Sequence, residues 1–207
     1  MASEGFDVVA LEPDGSDLVG AGAIRALAKD AGLKIDVAEG HSESIPCADA
    51  GFDLVFARAC LHHTRDLKLA CREMFRVLKP GGRFLAVREH VITRRADLPA
   101  FLRAHALHEL YGGENAFLLD EYREAFRAAG FRLTRTLAPL ESVVNYAPHT
   151  PATLRDEIAG RFGRVPGGAA MAKAALRSDA ALRAFLGVLG LIDNRPGRLY
   201  SFICEKP

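Results

Sequence analysis

Phe52-Asp53-Leu54-Val55-Phe56-Ala57-Arg58-Ala59-Cys60 reads as a strand over roughly 53–59, with its apolar core in Leu54-Val55-Phe56. Downstream, Asp66 opens a helical pattern in which Leu67, Ala70, Cys71, Met74, Phe75 and Leu78 form one apolar stripe. Lys79-Pro80-Gly81-Gly82 stops that helix, because proline cannot continue it and glycine permits the tight reversal. The next strand is expected over 83–90. Upstream, 34–38 is a strand that leads into the loop Gly40-His41-Ser42-Glu43-Ser44-Ile45-Pro46. Before it, 6–11 is a nearly all-apolar strand of the kind buried on both faces, ending at Glu12-Pro13-Asp14-Gly15. Ser16 or Asp17 would cap a helix carrying Leu18, Ile24, Leu27 and Ala28 and closed by Gly32. Strand and helix alternate, which argues for a parallel sheet with helices on its faces.

The second half is less regular. Leu98 to Tyr111 reads as a helix broken by Gly112-Gly113, and Asp120 to Ala129 as a helix closed by Gly130. Strands follow over 131–137 and 199–205. Residues 95–118 and 151–195 read as helical insertions, covering the substrate side of a single domain spanning 1–207. The chain has 207 residues, 49% hydrophobic and 26% charged, which excludes a disordered protein. Its 27 basic and 26 acidic residues are mixed along the chain, so no basic footprint for nucleic acid is present. No apolar run approaches the roughly 20 residues of a membrane span, and no signal peptide is visible, so a cytoplasmic protein without integral membrane contact is expected. The four cysteines lack paired short spacing, which favours reduced thiols over disulfides or a zinc site.

Three segments together resemble the class I S-adenosylmethionine-dependent methyltransferases, in the style of the type 11 small-molecule enzymes. They are Val8-Val9-Ala10-Leu11-Glu12; the loop Gly40 to Pro46 with Phe52 to Phe56 and Leu61-His62-His63; and Arg76-Val77-Leu78-Lys79-Pro80-Gly81-Gly82-Arg83. The resemblance implies a Rossmann-like, doubly wound, mostly parallel sheet with an antiparallel last strand. It implies S-adenosylmethionine as cofactor, with Glu12 accepting from the ribose hydroxyls and Pro13 beside it. Gly40, His41, Ser42 and Glu43 would cradle the adenine, and Ala57 and Arg58 would face the cleft. Family members usually carry Asp where His41 stands. His63 is either a general base or a residue that starts the helix beside the cleft. His90, His108, Tyr111 and Glu114 fall on the side of the methyl acceptor, a small molecule. A homo-oligomer stays open.

One family element is missing. Its main cofactor motif is an apolar strand, an acid and a glycine-rich loop, and only Met1 to Gly5 precede the Glu12 strand. Gly20-Ala21-Gly22 lies inside a helical pattern and is better read as close helix packing. The fold is therefore expected to be N-terminally incomplete and open between the strands ending at Glu12 and Ala59, with weak or no cofactor binding by these residues alone. The reading frame is expected to continue upstream with the missing motif. A methyltransferase-like subunit that no longer binds cofactor is the alternative; a nicotinamide-dependent oxidoreductase is disfavoured by the absence of a dinucleotide fingerprint. No metal site is assigned, since His105 and His108, three apart, would need a third ligand.

Overall fold

The computed structural model describes residues 1–105 and 114–207. Among these, the strands are β1 (Val8–Glu12), β2 (Ile35–Glu39), β3 (Phe52–Arg58), β4 (Leu78–Ile92), β5 (Phe117–Leu118), β6 (Arg132–Leu137) and β7 (Arg198–Glu205). The α-helices are α1 (Ala21–Asp30), α2 (Leu67–Val77), α3 (Leu98–Ala104), α4 (Leu119–Ala129), α5 (Val143–Tyr146), α6 (Pro151–Arg161), α7 (Gly168–Ala175) and α8 (Asp179–Ile192). The expected continuation of α3 to Tyr111, the Gly112-Gly113 loop, His108 and Tyr111 lie outside the described residues.

The sheet is mostly parallel, as the alternation of strand and helix requires. β3 pairs in parallel with β4, from Leu54 opposite Arg83 to Arg58 opposite Val87. β5 adds a short parallel pairing to β4, and β7 runs antiparallel between β4 and β6. β1 pairs in parallel with β2 as a separate two-stranded unit. Between the two sheets lies a cavity of about 400 Å³, lined on one side by Val8 to Leu11 and on the other by Leu54 to Arg58. The opening expected between these strands is therefore present, and the facing edges of β1 and β3 are unpaired among the described residues.

The core forms where β4 and β7 meet α2 and α4. Phe84, Tyr122, Phe126 and Phe202 are fully buried and stack or meet edge to face at ring separations of 5.2–6.4 Å. Asp66 caps α2 by accepting from the Leu69 N–H at 2.9 Å, as the sequence suggested. The end of α2 differs from expectation. The chain passes straight from Val77 into β4, so Lys79-Pro80-Gly81-Gly82 lies within the strand, and the register shift between Phe52 and Leu54 absorbs its bend. Gly81 takes a φ of +77°, and the Lys206 backbone brackets the bend with bonds to Gly81 and Gly82. The Lys206 ammonium then donates to the carbonyls of Phe75 and Leu78, satisfying acceptors that the helix end leaves open.

The start of α1 is a correction. Neither Ser16 nor Asp17 caps it; the helix begins at Ala21 after Gly20, and Leu18 is 91% exposed. Residues 14–22 fold back on themselves instead, with the Ala21 N–H bonded to the Asp14 carbonyl at 2.7 Å. A Cβ on Gly20 would lie 2.0 Å from that carbonyl oxygen. The glycines serve this reversal rather than helix packing.

The 151–195 segment forms three helices with a satellite core of Leu154, Ile158, Leu176, Leu182 and Leu186. Four of its basic residues are matched: Arg155 pairs with Asp179, Arg161 with Glu157, Lys173 with Asp156 and Arg195 with Asp193. With Arg164, Arg177 and Arg183 also present, the segment keeps a net positive charge.

Arg76 fastens the loop before β3 to α2. Its guanidinium donates to the carbonyls of Ile45 and Cys47 and to Glu73 and Asp49, while Glu73 accepts from the Ile45 N–H. Lysine cannot reproduce this fork. Arg76→Lys is expected to lower unfolding free energy by about 1–2 kcal/mol in a urea titration. An unchanged midpoint would show that the clamp is dispensable.

Candidate functional site: a buried histidine and carboxylate cluster beside an open cleft

The site is built on an irregularity of β4. Between Ala86 and Glu89 the register against β7 slips by one residue, so two positions of β4 face one of β7. Arg88 takes a φ of +61°, a conformation that costs a non-glycine residue about 1–2 kcal/mol. Its surroundings hold it there. The Arg88 N–H donates to Ser201 Oγ at 3.0 Å, and its guanidinium donates to the carbonyls of Val144 and Ala147. Ser201 in turn donates to the buried Asn145, whose amide bonds the carbonyls of Leu137 and Ala138.

The bulge delivers Glu89, which is completely buried, to the loop that leaves β3. Its carboxylate accepts from the N–H of Cys60 and of His62, each at 3.1 Å, and meets His62 Nδ1 at 2.8 Å. Ala59, at a φ of +50°, makes the turn that presents this loop. Burial, with the Glu89 charge adding to it, pushes the Cys60 thiol up to about 11.

Around His62 gather three more histidines and a carboxylate. His62 is 4.6 Å from His90 ring to ring, and His90 is 5.2 Å from His105. Glu114, whose side chain is 6% exposed, lies 3.5 Å from His62 Nε2, 3.8 Å from His63 Nε2 and 3.8 Å from His105 Nδ1. His90 Nδ1 is 2.9 Å from the Gly197 carbonyl, which can only accept, so this nitrogen carries the hydrogen. Burial holds the His90 imidazole down at about 4, against the opposing bond to Gly197, so the ring is neutral near pH 7.

The residues read from the sequence as cofactor contacts gather at the other side of the Cys60 loop. Ser42, Ala57 and Arg58 line the cavity between the two sheets, as does Cys60. Glu12 and Gly40 are adjacent at the ends of β1 and β2, where the Gly40 N–H donates to the Glu12 carbonyl. One Glu12 carboxylate oxygen accepts from the Asp14 N–H at 3.0 Å within the exposed turn that holds Pro13. The other makes no hydrogen bond among the described residues. His41 is exposed and bridges to Ser44, outside the cavity lining. Glu43 is engaged elsewhere. It accepts from Ser42 Oγ and from the N–H groups of Arg65 and Asp66, ahead of α2. Burial raises its pKa, but these bonds outweigh it and hold the carboxyl below its usual value.

This order of strands, with an acid at the tip of β1 and a loop beside it after β2, has counterparts among known proteins. Residues 1–86 match the methyltransferase domain family. That match takes in about two fifths of the chain. Over 94 residues it is 33% identical to the uncharacterized methyltransferase YcgJ of Bacillus subtilis, covering 42% of this chain and 37% of that one. Over 72 residues it is 35% identical to the ubiquinone/menaquinone biosynthesis C-methyltransferase UbiE of Bradyrhizobium diazoefficiens, covering 35% of this chain and 28% of that one. The matched stretches thus span well under half of these relatives' length. A solved structure of geranyl diphosphate methyltransferase with GPP and sinefungin superposes with a TM-score of 0.62 at 13% identity. It covers 98% of this chain and 63% of that one, a likeness of fold.

Within this methyltransferase fold, Glu89 is the residue that sequence reasoning missed. The signal was the polar run Arg88-Glu89-His90 inside an otherwise apolar strand. The role expected of Glu43 is corrected by its bonds to the start of α2, which make it a structural anchor. Glu43→Gln is expected to cost about 1 kcal/mol of stability without any ligand present, read by thermal or urea unfolding above pH 5. Because the bonds favour the charged form, the difference should shrink as pH falls through the carboxylate range. Equal stability of the two proteins near neutral pH would contradict the anchor.

Proposed function

We propose that the protein transfers the methyl group of S-adenosylmethionine to a small-molecule acceptor by in-line displacement. The observation that carries this reading is that Glu12 and the Gly40 loop meet at the C-terminal ends of the paired parallel strands β1 and β2, while Ser42 and Ala57 line the cavity between that pair and β3. That is where ligands of such sheets bind. Glu12 would accept from the ribose hydroxyls with Pro13 holding the turn. Gly40, His41 and Ser42 would border the adenine. When bound, the cofactor supplies an already activated methyl group, so the chain's own work is to hold the acceptor in line and exclude water.

The acceptor would lie toward the histidine cluster. His90 and Glu114 lie close together there, and His63, whose side chain is 45% exposed beside Glu114, would serve as the general base. His108 and Tyr111 are assigned to the same side from the sequence. A base is needed only where the acceptor loses a proton as it attacks. Among the described residues no helix is long and apolar enough to cross a membrane.

A second reading, a methyltransferase-like subunit without cofactor binding, draws on the unpaired edges of β1 and β3. Saturation-transfer NMR with S-adenosylhomocysteine separates the two. The enzyme reading expects weak binding by the 207 residues, with ribose protons in contact and affinity reduced about tenfold or more in Glu12→Ala. No contact even by a chain extended upstream in its reading frame selects the second reading, and equal binding by Glu12→Ala removes Glu12 from the site.

A further inference from the structure

The histidine cluster contains a buried carboxylate, one of whose oxygens makes no hydrogen bond among the described residues. Glu114 Oε2 and His105 Nδ1 are buried with no hydrogen-bond partner among the described residues. Burying such groups costs free energy that something must offset. Their neighbours stand too far away for a hydrogen bond: 3.5 Å separates His62 Nε2 from Glu114 Oε2, and 3.8 Å separates His105 Nδ1 from Oε1. These are the separations of two ligands on one ion. Metal–ligand bonds of about 2.0–2.1 Å in a tetrahedral site put neighbouring ligand atoms about 3.3 Å apart.

The hydrogen positions point the same way. His62 gives its Nδ1 to Glu89 and His90 gives its Nδ1 to the Gly197 carbonyl. Each ring is thereby oriented from behind by an acceptor, leaving Nε2 as the nitrogen on offer. A carboxylate or carbonyl behind the ring is the arrangement that fixes metal-binding imidazoles elsewhere. One ligand atom each from His62, His90 and Glu114 lies within 4.8 Å of the other two. His105 stands beside the second Glu114 oxygen. Glu89 and Gly197 come from a bulge and a φ of +79° turn, so the cluster is assembled by backbone features rather than by a single helix face.

We infer that His62, His90 and Glu114 form a binding site for a divalent first-row transition ion, with His105 beside it as a further donor. Two imidazoles and one carboxylate suit Zn²⁺, Co²⁺ or Fe²⁺ rather than the all-oxygen preference of Ca²⁺ or Mg²⁺. With three ligands the ion keeps a position for a further group. The inference stands on these residues and does not depend on methyl transfer.

The test uses the full chain without a histidine tag, stripped by chelator and titrated with Zn²⁺ by calorimetry and with Co²⁺ by visible spectroscopy. One equivalent of each is expected to bind, with Co²⁺ giving the visible bands of a low-symmetry nitrogen and oxygen site. Glu114→Gln and His90→Asn are expected to weaken binding by more than the roughly 10–100-fold that follows loss of a group behind a ligand. Because Glu114 Oε2 makes no hydrogen bond among the described residues, Glu114→Gln should fold with about wild-type stability. Zn²⁺ should raise the melting temperature of the wild type and leave that of Glu114→Gln unchanged. No stoichiometric binding by the wild type, or equal binding by Glu114→Gln, would overturn the site.

Discussion

A buried carboxylate, Glu89, is the constraint on which the site depends. Three hydrogen bonds converge on it from the loop after β3, two from backbone N–H groups and one from the His62 ring. Taking that charge out of water costs several kcal/mol, and it persists because each bond to it is worth more than an ordinary neutral one. The bond to His62 orients the ring toward Glu114, while the bonds to Cys60 and His62 fix the loop that separates the cluster from the open cleft. The bulge at Arg88 is what aims Glu89 inward, and Ser201 and Asn145 are what hold the bulge. Strain of this kind is characteristic of functional sites, where the surroundings over-determine an unfavourable backbone.

Two neighbouring regions thus share one loop. On one side, Ser42, Ala57, Arg58 and Cys60 line the space between the two sheets, with the Glu12 turn and the Gly40 loop at its rim. On the other, His62, His90 and Glu114 cluster with His105 beside them, and Glu114 Oε2 and His105 Nδ1 are buried. Cys60 belongs to both, its side chain at the cleft and its N–H on Glu89. A change at either region has a short covalent path to the other through residues 57–62.

Much of the fold was legible because burial imposes period and punctuation. The strands over 34–38, 53–59, 131–137 and 199–205 fall within one or two residues of β2, β3, β6 and β7, and Asp66 caps α2 as its side chain and position suggest. The opening between β1 and β3 was legible too, since it follows from the order of segments. The exceptions have local causes. Leu18 and Leu27 have helical spacing but are exposed, and the Asp14–Gly22 reversal delays α1, a close approach that depends on how the turn folds back. β4 begins at Leu78 because Lys206, from the far end of the chain, satisfies the bend. The Glu89 bulge likewise depends on a partner strand over a hundred residues away, and a linear pattern cannot register it.

The central claim is that Glu89 and Gly197 hold the Nδ1 hydrogens of His62 and His90 and so leave both Nε2 atoms as the nitrogens a metal would take. Long-range proton–nitrogen NMR on the metal-free protein at mildly alkaline pH, with histidine nitrogens labelled, reads this directly. The account predicts that both rings carry hydrogen on Nδ1, with Nε2 resonating as an unprotonated, lone-pair nitrogen. Hydrogen on Nε2 of either ring would contradict it.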